Sequence, residues 1–114
     1  MNKPLYENQL SKLIDSYKNE ELPVLITLTK AQSSKNYLLQ EVLNRIRQEL
    51  GDGIIYEGID GMSSSIIREE LKIKKHPIHL LIKDGGLQAI YSGMIGAQPI
   101  IKSLNELRIK KKSA

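Results

Sequence analysis

Residues 76–86 read His-Pro-Ile-His-Leu-Leu-Ile-Lys-Asp-Gly-Gly, and the reading of this stretch decides the fold. Pro77 precedes a nearly continuous apolar run, 78–82, interrupted only by His79, which is the pattern of a strand. Lys83-Asp84-Gly85-Gly86 is a strong hairpin signal, so 87–92 reads as a second strand, antiparallel to the first. After Gly93 a final helix is expected from about 97 to 108, with Ile100, Ile101, Leu104 and Leu107 inward.

Upstream of this segment the apolar period alternates between helix and strand. Tyr6, Leu10, Leu13, Ile14 and Tyr17 form one helical stripe over 4–18, which Pro4 could open. Pro23 ends the connection, and 24–29 reads as a strand with Val24, Ile26 and Leu28 on one face and Leu25, Thr27 and Thr29 on the other. A polar stretch, 30–36, leads to a second helix marked by Leu38, Leu39, Val42, Leu43, Ile46 and Leu50 and stopped by Gly51; Ser33 is its expected cap. A strand over 54–59 closes on the turn signal Asp60-Gly61, and residues 63–65 are expected to cap a short third helix carrying Ile66, Ile67 and Leu71. The order is α-β-α-β-α-β-β-α. Helical crossovers predict parallel early strands and the tight turn predicts an antiparallel last pair, giving a mixed sheet with helices on both faces.

Composition excludes several classes. A chain of 114 residues with 40% hydrophobic and 26% charged residues fits one folded domain, expected over 1–108, followed by a basic tail at 109–114. Such a domain buries roughly two-thirds of its unfolded surface and needs no metal or disulfide to hold a core. Cysteine is absent, which rules out disulfides, thiolate metal sites and any cysteine nucleophile. The formal charge of +4 reflects the end of the chain: without Arg108, Lys110, Lys111 and Lys112, 13 of the 17 basic residues remain against 13 acidic ones. Phe and Trp are missing and Tyr numbers five, so stacking platforms for nucleic acid are scarce, and no nucleic-acid partner is expected. No apolar run approaches the roughly 18 residues of a membrane helix, so the expectation is a cytoplasmic protein with no membrane partner.

The element order, the proline directly before the penultimate strand, the Lys83-Asp84-Gly85 hairpin and Gly93 together resemble the thioredoxin family over nearly the whole chain. The resemblance implies a thioredoxin-like three-layer α/β/α sandwich and a cis bond between His76 and Pro77. It also places Ser33 and Asn36 where that family has its two cysteines, with Ser34 and Lys35 between them. Gln32 stands in place of the tryptophan, and Thr27 in place of a buried aspartate that assists proton transfer. Disulfide exchange needs an attacking thiolate and a resolving thiol, and serine and asparagine supply neither. The resemblance is therefore to a redox-inactive member, without catalytic residues of the thiol kind.

What survives such losses is a surface. In the family, backbone groups beside the proline pair with an extended peptide, so Ser33, Ser34, Lys35, Asn36, His76 and Pro77 form the expected peptide groove of a binding or adaptor module, with a protein or peptide as partner. The alternative is a serine-based glutathione-binding or transferase-like enzyme on the same fold, in which Ser33 would hydrogen-bond the ligand's thiol. A Ser33–His76 hydrolase pair lacks an evident carboxylate to orient the imidazole. His76 and His79 point to opposite faces of an extended segment, so neither a shared metal nor another cofactor is expected, and His79 reads as a hydrogen-bonded structural residue.

Overall fold

A computed structural model of the chain describes residues 8–30 and 36–109. β1 (Val24–Leu28) is buried along its whole length because a strand lies on each side of it. β2 (Ile55–Ile59) pairs with it in parallel, Leu28 opposite Ile59, and β3 (Ile78–Lys83) pairs antiparallel, Leu28 opposite Ile78. β4 (Gly86–Ser92) runs antiparallel to β3 and completes the order β2-β1-β3-β4. Asp84 (φ 56°) and Gly85 (φ 75°) are both left-handed in the hairpin turn, the backbone that matches a two-residue loop to the twist of its strands.

Alternation along β1 divides the core. Leu25 points to one face and packs with Ile46 and Leu50 of α2 (Tyr37–Leu50) and with Ile100 and Leu104 of α4 (Ala97–Ile109). Val24, Ile26 and Leu28 point to the other face, against Ile67 of α3 (Gly61–Leu71), with Leu10, Leu13 and Ile14 of α1 (Gln9–Asp15) closing over them. Two helices on each face make the three layers expected from the sequence. Each fully buried Leu or Ile contributes about 1.5–3 kcal/mol relative to exposure.

Three local expectations are corrected. α2 is capped by Asn36, whose Oδ1 accepts from the Leu39 amide at 3.1 Å; the expected cap, Ser33, lies outside the described residues. α3 starts at Gly61 behind Asp60, so Ser63, Ser64 and Ser65 lie inside the helix and do not cap it. α1 starts at Gln9, with Asn8 Oδ1 accepting from the Ser11 amide at 2.8 Å; Pro4, the expected opening residue, lies outside the described residues. Across the two helices, the Glu70 carboxylate of α3 accepts from the Gln9 and Leu10 amides at 3.0 and 2.8 Å.

The direction of β3 also departs from expectation. A helical crossover normally returns the next strand parallel, yet β3 is antiparallel to β1. The register gives the reason: Leu28 faces both Ile59, the last residue of β2, and Ile78, the first of β3. The segment 60–77 therefore leaves and re-enters the sheet at one edge. That edge gathers the ends of β1 and β2, the start of β3 and, through the Ile78–Ser92 pairing, the end of β4.

Candidate functional site

The corner of this edge is the His76–Pro77 bond, which is cis. Pro77 is buried, and its carbonyl accepts from the Gly93 amide at 2.9 Å, tying the start of β3 to the end of β4. Gly93 has φ 87°, a left-handed backbone that favours glycine, and a side chain there would meet the Lys75 stem, 3.7 Å away at its Cδ. His76 is half-buried, and neither its amide nor its carbonyl has a hydrogen-bond partner among the described residues. Desolvation lowers the pKa of its imidazole below the usual histidine value, and the positive charges of Lys30 and Arg68 lower it further.

Beneath the edge the chemistry is closed. Thr27 and His79 are partners in the β1–β3 register, and Thr27 Oγ1 lies 2.9 Å from His79 Nδ1. His79 is 1% exposed, and burial pushes its pKa down to about 4, so at neutral pH it is an uncharged imidazole bound to a hydroxyl. Thr27 also lines a cavity of about 210 Å³ with Thr29, Gln40 and Asp60. The position where the resemblance expects a proton-transferring aspartate, Thr27, thus belongs to a neutral pair. Sequence reading singled out both residues without joining them; their register across β1 and β3 does so.

Outside the edge lies a cleft of about 500 Å³ between the end of β1 and the C-terminus of α3, lined by Lys30, Ser65, Arg68, Glu69, Lys72 and Lys74. Arg68 Nε donates to Ser64 Oγ at 3.3 Å, which fixes the guanidinium on its helix. No carboxylate among the described residues lies within 4 Å of the charged nitrogens of Arg68, Lys72 or Lys74. Lys72 closes α3 in the left-handed region (φ 59°, ψ 35°), with its amide on Glu69 O at 3.0 Å and the Ile73 amide on Arg68 O at 3.3 Å. This helix ending ordinarily carries glycine, and a side chain there costs on the order of 1–2 kcal/mol.

The expected site residues divide accordingly. His76 and Pro77 sit at the corner; Asn36 begins α2 with its side chain engaged as a cap; Ser33, Ser34 and Lys35 lie outside the described residues. The basic cleft was missed by sequence reading. Its signal was the i, i+4 pair Arg68 and Lys72 followed by Lys74 and Lys75, hidden by the interposed Glu69 and Glu70. Among the described residues no three His, Asp or Glu side chains group to hold a metal ion, and no helix is long and apolar enough to cross a membrane.

No protein-family model matches the sequence, and no curated protein matches it. Solved structures do match in fold. A chain from the structural study of thiol resolution in yeast mitochondrial 1-Cys peroxiredoxin by the glutathione and thioredoxin systems is 20% identical, with a TM-score of 0.65 over 87% of this chain and 88% of that one. Thioredoxin-2, a component of malaria parasite protein secretion machinery, gives 0.63 at 10% identity over 75% and 82%. A cysteine-to-serine mutant of Entamoeba histolytica thioredoxin gives 0.59 at 17% identity over 83% and 90%. The fold is thioredoxin-like, and with no cysteine the chain has no Cys-X-X-Cys redox site.

Proposed function

We propose that this chain is a binding or adaptor module that holds an extended peptide along the edge at His76 and Pro77, without thiol chemistry. The observation that carries the reading is the amide and carbonyl of His76, without a partner among the described residues and held beside a buried proline whose own carbonyl is already taken by Gly93. A backbone that offers both a donor and an acceptor at a sheet corner can pair with an extended chain, and such pairing needs no cysteine. Met94, 44% exposed and adjacent to Gly93, adds a polarizable apolar surface next to the corner. The glutathione-binding alternative depends on Ser33, which lies outside the described residues.

The test begins with peptides selected from a random heptapeptide display library against the purified chain. Each selected peptide is then N-methylated one residue at a time. Removing the amide that pairs with His76 should lower affinity by up to about tenfold, the equivalent of one backbone hydrogen bond. His76→Leu should weaken the same peptides with little change in melting temperature. Peptides that bind equally well after methylation at every position, and equally well to His76→Leu, would place binding on another face and overturn the proposal. A thermal-shift titration with glutathione tests the alternative, which requires a concentration-dependent rise.

A further inference from the structure

We infer that the peptide held at this edge is acidic, its carboxylates seated in the cleft formed by Lys30, Arg68, Lys72 and Lys74. The inference rests on the peptide-edge reading and adds to it the chemical class of the partner. The cleft and the corner are contiguous in the chain, since residues 72–75 run from the end of α3 directly into His76. They also share one end of the sheet: Leu28 of β1 faces Ile78 of β3, so Lys30, two residues past Leu28, follows β1 at the end where His76 leads into β3. A chain paired with His76 and extending towards α3 therefore enters a basic cleft.

Among the described residues, four cations line the cleft against one carboxylate, Glu69, and Arg68, Lys72 and Lys74 have no acidic partner. A cleft with this balance attracts anions. The left-handed Lys72 supports the same reading, because a basic side chain occupies a position where the helix ending favours glycine.

Carboxylates suit the cleft better than phosphates do. Arg68 already donates its Nε to Ser64, so its guanidinium is not wholly available for a two-pronged grip on a phosphate, and the remaining cations are lysines, which act as point charges. Glu69 in the wall also disfavours a dianion. Nucleic acid fits less well again: among the described residues no aromatic side chain lines the cleft to stack a base.

The probes are the peptides acetyl-(Glu-Val)3-amide, acetyl-(Gln-Val)3-amide and a single-stranded RNA dodecamer, titrated into the isotope-labelled chain at low salt. The Glu-Val peptide should shift the amide resonances of Arg68, Lys72, Ile73 and Lys74 together with those of His76 and Ile78. It should bind about tenfold more tightly than the Gln-Val peptide, as three exposed charge contacts of a few-fold each would give. Added salt should erase most of that difference. Lys74→Glu should remove it with an unchanged melting temperature, and Lys72→Gly should weaken it in a chain whose helix ending is relieved, so that a folding defect cannot account for both results. If both peptides bind equally at His76 and Ile78, the edge reading stands and the acidic partner is overturned. If the Glu-Val peptide shifts only cleft residues, the cleft assignment is supported and the edge reading falls. If RNA occupies the cleft more tightly than the Glu-Val peptide, or if no probe shifts it, the inference is overturned.

Discussion

His76 and His79 lie three residues apart on one extended segment, and the surroundings of each define a different region of the molecule. Around His79 the buried polar groups are settled: Thr27 Oγ1 is 2.9 Å from Nδ1, the ring is 1% exposed, and no buried side-chain nitrogen or oxygen among the described residues lacks a partner. Among the described residues, the backbone groups of His76 have no partner, and the cations of Arg68, Lys72 and Lys74 face no carboxylate within 4 Å. The comparison teaches where to look for stability and where for recognition. Burial makes an unmet hydrogen bond costly, so interior polar groups act on folding, whereas exposed charges contribute little to folding and remain available to a partner.

The largest break in that contrast should come from His79→Ala. It deletes a buried ring and orphans the Thr27 hydroxyl, so urea denaturation should report a loss of about 3 kcal/mol. Peptide binding by the fraction that remains folded should be unaffected; a variant as stable as wild type would show that the pair is not structural.

A pH series probes the same ring without mutation. His79 has a folded pKa of about 4 against 6.5 for the unfolded chain, so between those values the unfolded state binds the proton more readily. Its contribution is complete above pH 6.5 and is lost as pH falls towards 4, a total on the order of 3 kcal/mol. His79→Gln should flatten the curve over that window, and parallel curves for the two proteins would assign the acid sensitivity elsewhere.

Thr27→Val keeps the shape of the side chain and removes the hydroxyl. Leaving His79 Nδ1 unsatisfied should cost about 1–2 kcal/mol by the same denaturation measurement. In the basic region the sign should reverse: Lys72→Gly relieves the left-handed backbone and should raise stability by roughly 0.5 kcal/mol after glycine's greater unfolded freedom is subtracted. Lys74→Glu should be nearly neutral, within about 0.5 kcal/mol. A loss well beyond that would mean that the cleft is part of the scaffold.

Sequence alone carried much of this architecture, for reasons particular residues make plain. The apolar run at 78–82 and the Lys83-Asp84-Gly85-Gly86 turn can be little other than a hairpin, and the β3–β4 pairing follows from them. The start of α2 was misplaced because Ser33 is a good cap by residue type; Asn36 takes the role by standing three residues before Leu39, the first buried residue of the helix. The direction of β3 was misread because a helix between strands ordinarily signals a crossing, and nothing in 60–77 announces a return to the same edge. The cleft was hidden for a related reason. Charges that converge from β1, α3 and the following loop cancel in a linear count and separate only in three dimensions.

The carboxylate of Glu70 has a consequence for how the molecule opens. α1 contains no fully buried residue, so its attachment depends on a half-covered apolar stripe and on two hydrogen bonds that its first amides donate to Glu70 of a neighbouring helix. Elements held so lightly exchange their amide hydrogens through small local openings, well before the whole domain unfolds. The amides of Gln9 and Leu10 are thus clocks set by α3: their exchange times the release of α1, and Glu70→Gln, which retains an acceptor but not the charge, should quicken it while β1 and β3 exchange at their former rate.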